Sequence, residues 1–301
     1  MKFTYSISEL VPYINWVYYF YAWQVKDEAE KQRMQREALT KLQELDNKYK
    51  VYAVFELFDA HSEDDDIVIY RSMMCQECGV KHPVRVASIP CLRQQQGNPP
   101  YLCLADFLRP LNTSLASSFF DKRSGKAERS PLTSKFSPLT SKLGLFATTV
   151  DIGLETDFDD DVYQKMMVQL LADRLAEAAA EVLHLQVRKE IWGYAKDEDL
   201  SIPDLLIERF QGIRPAVGYP SLPDTSLNFV LDEILDMKQI GIRLTESGAM
   251  KPHASVSGMM IANPKAKYFS IGKIGEDQLH DYARRRGIPA EVLRKWLDVG
   301  A

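Results

Sequence analysis

Residues 51–70 read VYAVFELFDAHSEDDDIVIY, and this stretch decides the fold class. Residues 51–58 and 66–70 are rich in β-branched and aromatic side chains, which predicts two strands. The polar residues 61–65 between them predict a turn, so the two strands are expected to form an antiparallel hairpin. The alternating residues 84–89 predict a third strand, and later strands are predicted at 242–250, 255–262 and 268–274.

Helical periodicity occurs in stretches of the chain separate from these strands. Apolar residues at helical spacing predict helices at 27–47, 161–192, 226–238, 275–286 and 289–298. Because helices and hairpins are segregated rather than alternating, the sequence favours an α+β fold over a doubly wound α/β sheet.

Composition excludes several protein classes. The 301 residues are 46% hydrophobic and 26% charged, which excludes a mainly disordered chain, a collagen and a coiled coil. The formal net charge is −5. That sign argues against non-specific nucleic-acid binding, so no nucleic acid is expected among the partners.

Nothing in the sequence predicts export or a membrane span. The most apolar stretch, residues 11–23, contains Pro12 and Asn15 and is shorter than the roughly 20 apolar residues that a spanning helix needs. The first residues do not resemble a signal peptide. Four cysteines without an export signal indicate a reducing compartment, so the expected location is the cytoplasm.

Residues 111–142 differ in composition from the rest of the chain. They are rich in Ser, Thr and Lys, and SPLTSK occurs at both 130–135 and 137–142. This composition predicts an exposed, mobile insertion. The whole chain, residues 1–301, is expected to form a single domain that carries this insertion.

The strongest chemical signal is ERFQGIRPAVGYP at residues 208–220. Proline fixes φ and glycine permits close approach to the backbone, so this segment predicts a stiff loop. An arginine in such a loop is oriented in advance to bind a carboxylate through two hydrogen bonds. The alternative is that Arg214 caps backbone carbonyls in an ordinary loop.

Residues 214–219 also fit the pattern R-x-x-x-G-Y, and further motifs accompany it in chain order. They are YLCLADF at 101–107, ADRLAEA at 172–178, WGYA at 192–195, QGIRPA at 211–216, LTES at 244–247 and ASVSG at 254–258. Together they resemble the activation domain of cobalamin-dependent methionine synthase, over about residues 8–297.

The resemblance implies a helmet-shaped α+β domain with a twisted antiparallel sheet, and it implies S-adenosylmethionine as ligand. In that family, cobalamin that has become oxidised receives an electron from flavodoxin or a similar donor, and the bound S-adenosylmethionine then methylates the cobalt. The domain's task is positioning, because the sulfonium is already an activated methyl donor. No catalytic acid, base or nucleophile is therefore predicted.

Around the motif loop, the resemblance assigns roles to consecutive residues. Arg214 would bind the ligand carboxylate, and the backbone of Pro215, Ala216 and Val217 would line the adenosine. The residues that would complete the loop are Gly218 and Tyr219.

Outside the loop, the resemblance assigns Tyr268 a ring contact with the ligand and gives Glu177 and Glu208 the role of supplying negative charge near its cationic end. Each has an ordinary alternative: Glu177 as a solvated helix residue, Tyr268 as a plain strand aromatic, and Glu208 as a surface charge at a helix end.

Two positions depart from the family pattern. Asn15, in the segment YINW, stands where the family usually has an Asp that would hold the ligand ammonium. Asn15 still accepts a hydrogen bond but brings no charge, so weaker or altered binding is expected. Phe269 replaces a frequent second Tyr and lacks its hydroxyl.

The cysteines form a weaker second candidate. Cys75 and Cys78 are spaced like half of a zinc knuckle, with Gly79 following. The sequence has no second C-x-x-C to supply the other two ligands, so a hairpin turn that contains cysteines is the favoured interpretation. Cys103 belongs to one of the family motifs and is expected to be buried packing.

The sequence contains no D-x-H-x-x-G cobalamin-binding signature. The leading hypothesis is therefore a free-standing activation domain that presents the methyl of S-adenosylmethionine to cobalamin on a separate methionine synthase chain and does not turn over alone. The rivals are a non-catalytic docking or S-adenosylmethionine-sensing protein that keeps the fold, and a thiol or zinc module.

Overall fold

The computed structural model describes residues 1–75, 79–110, 141–158 and 160–297. The strands are β1 (Lys2–Tyr5), β2 (Val51–Glu63), β3 (Asp66–Met74), β4 (Lys81–Pro90), β5 (Ser141–Val150), β6 (Arg243–Leu244), β7 (Met250–Lys251) and β8 (Ser255–Met260). The α-helices are α1 (Ile7–Leu10), α2 (Trp16–Ala22), α3 (Glu28–Asp46), α4 (Gly153–Thr156), α5 (Val162–Gln186), α6 (Ile202–Leu206), α7 (Leu227–Leu235), α8 (Glu276–Arg286) and α9 (Ala290–Leu297).

One twisted antiparallel sheet of six strands dominates the fold. Its order is β4-β3-β2-β5-β8, and β1 pairs with β2 beside this path. The predicted hairpin is present, with Ala60 opposite Ile69 and Glu63 opposite Asp66. The predicted α+β class, with a twisted antiparallel sheet and helices, is confirmed.

The turn of the hairpin is shorter than the sequence predicts. Its strands continue to Glu63 and from Asp66, so Asp64 and Asp65 alone make the turn. Asp64 has a φ of 50°, the left-handed conformation that two-residue hairpin turns favour. The polar residue His61 is read as turn from its sequence, but it is buried in β2, where its Nε2 lies 2.9 Å from Glu63 Oε1.

Two compact units divide the chain. The described residues of the first unit fall within 1–56, 145–217 and 225–260, and those of the second fall within 57–144, 218–224 and 261–301.

Helix α5 is the central element of the first unit. It begins at Asp161, whose side chain accepts hydrogen bonds from the backbone N–H groups of Tyr163 and Gln164. Its apolar stripe, which includes Met167, Leu171 and Leu175, is buried. Helices α1 to α4 and strand β8 all pack against this helix. Helix α5 is therefore the element against which helices α1 to α4 of the first unit are positioned.

The second unit has its own apolar core, built where α8 and α9 meet. Leu279, Tyr282 and Leu293 are buried there together with Leu92 and Ile271. Arg93 ties the hairpin to a following loop, because its guanidinium donates to both Asp65 and Asp106. Charge-assisted bonds of this kind are roughly twice as strong as neutral ones.

Several sequence predictions need correction. Residues 268–274 are not a strand: Gly272 has a φ of 72°, which interrupts extended backbone. Residues 242–250 form two short strands, β6 and β7, rather than one. The helices predicted at 161–192 and 226–238 have their α-helical parts at 162–186 and 227–235, followed by a π turn at Val187–Ile191 and a 3₁₀ turn at Met237–Ile240.

The predicted insertion at 111–142 lies largely outside the described residues, at 111–140. Its last two residues, Ser141 and Lys142, begin strand β5 instead of continuing a loop, and Lys142 Nζ lies 2.8 Å from Asp59 Oδ1. Among the described residues, no helix combines the length and the apolar character that crossing a membrane requires.

Candidate functional site

The motif loop at residues 208–217 begins immediately after α6. The backbone N–H of Glu208 donates to the Leu205 carbonyl at 2.9 Å, and Glu208 has a φ of 60°. That left-handed conformation is usual at a helix C-terminus, but glycine is the residue that normally adopts it. The chain therefore holds a glutamate in a strained backbone conformation at the start of the loop.

The end of the loop is attached to β8 like an additional strand. Met259 N donates to Pro215 O at 3.0 Å, and Val217 N donates to Ser257 O at 2.9 Å. Ala216 pairs with Gly258 between these two bonds. The backbone of Pro215, Ala216 and Val217 is thus held in place by the sheet.

Arg214 lies just before this attached segment and points toward helix α5. Its Nη2 donates to Glu181 Oε2 at 3.0 Å, and its Nη1 lies 3.1 Å from His184 Nδ1. The Arg214 and Glu181 side chains are only 12% and 8% exposed, and His184 is fully buried. Both terminal nitrogens of Arg214 therefore contact side chains of helix α5.

A second layer supports His184. Its ring packs edge-on against Phe210, with the ring centroids 4.8 Å apart, and its Nε2 lies 3.1 Å from the hydroxyl of Tyr194. Burial lowers the pKa of His184 well below 6.5, and the positive charges of Arg214 and Arg188 lower it further. This histidine is therefore neutral at physiological pH.

Negative charge surrounds Arg214. Burial raises the pKa of Glu208 above its usual value; the Arg214 charge opposes this effect and the Glu181 carboxylate adds to it. Those electrostatic effects require Glu208 to be near both side chains. Glu208 is therefore close enough to Arg214 and Glu181 for their charges to affect its pKa.

Glu177 lies one helical turn before Glu181 on α5 and is half-buried. Asp173 lies one further turn back, and burial raises its pKa. It lines a cavity of about 370 Å³ in the first unit together with Glu155, Met166 and His253, whose Nδ1 lies 3.8 Å from Asp173 Oδ1. None of the predicted site residues lines this cavity.

Asn15 caps helix α2. Its Oδ1 accepts a hydrogen bond from Val17 N at 3.2 Å. The turn Val11–Tyr13, just before Asn15, packs against both α5 and α6. Helix α5 carries Glu177 and Glu181, and α6 precedes Glu208. Asn15 is half-buried, and its bond to Val17 N gives it a structural role as a helix cap.

The remaining predicted residues belong to the second unit. Gly218, with a φ of 87°, donates its N–H to Leu222 O at 2.8 Å, which closes a tight turn around Tyr219. Gly218 and Tyr219 line a cavity of about 710 Å³ that also includes Ser270 and Lys273. Tyr268 is 36% exposed and is not part of that lining.

Phe269 packs edge-on against Phe107, with 6.3 Å between the ring centroids. An aromatic ring without a hydroxyl suits this apolar contact.

The cysteine candidate gains no support from geometry. Cys78 lies outside the described residues, and within the described ranges no group of three His, Cys, Asp or Glu side chains is arranged to hold a metal ion. Cys103 is fully buried beside Cys91, in agreement with its predicted packing role.

Glu181 and His184 contact Arg214, and Tyr194 contacts His184; the sequence does not predict these contacts. A helical stripe of Ala and Leu interrupted by Glu181 and His184, three residues apart, was the available signal, because such residues lie on one helix face.

Comparison with known proteins identifies the family of this chain. Residues 6–287 match the family model for the vitamin B12-dependent methionine synthase activation domain. The structure is also similar to a crystal structure of the MetH reactivation domain bound to AdoHcy, with a TM-score of 0.81 and 35% sequence identity over 100% of this chain and 90% of that one. The chain therefore belongs to the activation-domain family of vitamin B12-dependent methionine synthases.

Proposed function

We propose that this chain binds S-adenosylmethionine and presents its methyl group for the reductive reactivation of cobalamin on a partner methionine synthase chain. The observation that carries the proposal is Arg214, which contacts Glu181 and His184 and lies in the motif loop just before the segment that is attached to β8. A similar domain of known structure binds AdoHcy, which has the same adenosyl and amino-acid groups as the proposed ligand.

The residues present fit the chemical groups of this ligand. A guanidinium is the side chain best suited to bind a carboxylate in a planar, two-bond geometry. Glu208 and Glu181 place negative charge near Arg214, and the proposal adds Glu177, one helical turn from Glu181; such charge favours a sulfonium and an ammonium. The Pro215 carbonyl and the Val217 N–H are bonded to β8, so the backbone that would line the adenosine is fixed in position.

S-adenosylmethionine supplies an activated methyl group, and the chain's contribution is to bind and orient it. Arg214 would hold the carboxylate and Glu208 the cationic end, which fixes the direction of the ligand. Positioning of this kind converts a slow bimolecular encounter into an effectively unimolecular one. The proposal also gives Gly218, Tyr219 and Tyr268 roles in ligand binding. It further includes a single domain, a cytoplasmic location and a flavodoxin-like electron donor.

Calorimetric titration with S-adenosylmethionine tests the proposal, with Arg214→Ala as the variant. Arg209→Ala is the matched control, because Arg209 lies five residues earlier, is mostly exposed and pairs with Asp204 at 2.7 Å. We expect saturable binding by the wild type and Arg209→Ala, and at least 10-fold weaker binding by Arg214→Ala, about 1.4 kcal/mol or more. A wild-type protein that does not bind millimolar ligand would exclude an autonomous site.

A second function is favoured by Asn15, which lacks the charge of the family's Asp. A docking or sensing protein would bind S-adenosylmethionine without supporting methyl transfer. Mixing the chain with a cobalamin-bearing methionine synthase fragment, a reductant and methyl-labelled S-adenosylmethionine separates the two functions. Label transferred to cobalamin supports reactivation, whereas ligand binding without transfer supports the sensing role.

A further inference from the structure

The position of Arg214 depends on two residues of helix α5 and one residue beyond it. Glu181 and His184 are three residues apart, so both face the same side of the helix, and each meets a different terminal nitrogen of the guanidinium. Tyr194 meets the other side of the His184 ring. We call Glu181, His184 and Tyr194 the Arg214 clamp.

The hydrogen-bond donors and acceptors of the clamp permit one arrangement. A guanidinium has only donors, so Arg214 Nη1 must donate to His184 Nδ1. His184 Nδ1 then carries no proton, and the neutral ring has its single proton on Nε2. That Nε2–H donates to the Tyr194 hydroxyl. Full burial of His184 between the charges of Arg214 and Arg188 keeps the ring in this neutral form.

Glu181 prevents Arg214 from leaving the clamp. Its carboxylate is buried, and its second oxygen, Oε1, has no hydrogen-bond partner among the described residues. Movement of Arg214 away from Glu181 would leave a buried carboxylate without a cation, which is strongly unfavourable. The guanidinium therefore stays in one orientation before any ligand arrives.

From these contacts we infer that the Arg214 clamp is a set of positioning residues that orients Arg214 for the ligand carboxylate, with His184 acting as an obligatory neutral hydrogen-bond acceptor. The inference rests on the proposed function, in which Arg214 binds that carboxylate. A side chain oriented in advance loses less conformational freedom on binding, so the ligand is bound more tightly.

Substitutions of His184 separate positioning from packing. His184→Asn keeps an acceptor where Nδ1 lies, whereas His184→Leu keeps bulk and removes the acceptor. Two ligands are compared by calorimetry: S-adenosylmethionine and its decarboxylated form, which retains the sulfonium and the amine. We expect His184→Leu to bind S-adenosylmethionine about 3- to 10-fold more weakly and the decarboxylated form with unchanged affinity. For His184→Asn we expect an S-adenosylmethionine affinity within about 2-fold of the wild type.

A ligand-independent measurement keeps the test decisive if His184→Leu does not fold. Nitrogen-15 chemical shifts of the wild-type protein report which ring nitrogen carries the proton. We expect a His184 ring with a protonated Nε2 and a bare Nδ1 that does not titrate between pH 5 and 8.

The outcomes distinguish the inference from the proposed function. A wild type that does not bind S-adenosylmethionine overturns the proposed function and the ligand assignment with it. Wild-type binding together with an equal loss for both ligands in His184→Leu, or no loss for either, overturns the positioning role alone. A His184 ring that titrates, or that carries its proton on Nδ1, also overturns it.

Discussion

A methyl group added to Gly258 would lie 2.3 Å from the carbonyl oxygen of Pro215. This distance is far below van der Waals contact, and the obstacle is backbone rather than a movable side chain. The close approach lets Pro215 and Val217 bond to both neighbours of Gly258 on β8. Gly258 is therefore the residue that allows the motif loop to lie flat against the sheet.

Substitution of Gly258 by alanine should displace the loop. Overpacking of this kind typically destabilises a protein by about 1–3 kcal/mol. We expect a lower free energy of unfolding in urea together with weaker S-adenosylmethionine binding, because Arg214 immediately precedes the displaced residues. An unchanged free energy of unfolding in Gly258→Ala would show that the loop can move away from β8 without loss of stability.

Substitution of Glu208 by glycine should stabilise the fold and weaken binding. Glycine relieves the φ of 60° and removes a partly desolvated carboxylate, and its greater unfolded-state entropy offsets part of the gain. We expect a net gain of about 0.5–1 kcal/mol in the free energy of unfolding. Calorimetry on the same variant should show reduced affinity for S-adenosylmethionine.

Glu208→Gln is the control for this pair of effects. It keeps the strained backbone and removes only the charge, so it should reproduce the loss of affinity without the full gain in stability. If Glu208→Gly binds as tightly as the wild type, the glutamate is a surface residue without a role in the site.

Replacement of Asn15 by aspartate should improve ligand binding at no cost to the fold. Asp and Asn are equally good helix caps, so the bond to Val17 N is preserved, and an anion at a helix N-terminus adds about 0.3–1 kcal/mol of stability. We expect S-adenosylmethionine to bind about 5- to 10-fold more tightly, as a charge-assisted bond to an ammonium allows. Asn15→Ser, which caps without charge, should show no such gain.

Substitution of Asp173 by asparagine should stabilise the protein at neutral pH. Burial raises the pKa of Asp173 above 3.8, so the folded state holds its proton more tightly than the unfolded state does. The wild type therefore loses stability as pH rises from the unfolded-state pKa through the folded-state pKa. About a third of the Asp173 side chain is exposed, which limits the expected gain to roughly 0.5 kcal/mol at pH 7.

Urea titrations of the wild type and Asp173→Asn at pH 3.5, 5 and 7 measure this difference. The difference in free energy of unfolding between the wild type and Asp173→Asn should increase with pH and then become constant. Asp204→Asn is the opposite case, because hydrogen bonds from Ser201 lower the Asp204 pKa and its replacement should destabilise the protein at pH 7. If the free energy of unfolding of Asp173→Asn changes with pH in the same way as that of the wild type does, the raised pKa of Asp173 in the folded state is contradicted.

The parts of the fold that the sequence predicts well depend on local patterns. The hairpin, α3, α5 and the two C-terminal helices follow from periodicity, capping residues and glycine positions. Strand β5 was missed because its first residues continue the Ser- and Lys-rich composition before it. The sequence predicts a strand at 268–274 because aromatic and aliphatic residues surround Gly272. It does not indicate that Gly272 has a positive φ.

The site shows the same division. Arg214 and the stiffness of its loop follow from the residues 211–220 themselves, and the family resemblance adds the ligand. The partners of Arg214 could not be read in this way, because Glu181 and His184 precede it by about thirty residues and meet it through tertiary packing alone. Polar residues on one face of a helix, such as Glu181 and His184, do not indicate which distant loop will pack against that face.

The buried contact between Arg214 and Glu181 also affects how relatives of this chain should be interpreted. A descendant that no longer bound the ligand would still need the arginine, because its loss would leave Glu181 buried without a partner. Retention of Arg214 without Glu208 is therefore a poor marker of retained activity during evolution. Glu208, which occupies an unfavourable backbone conformation that glycine would relieve, is the better marker, since drift would remove it once selection for the ligand ended.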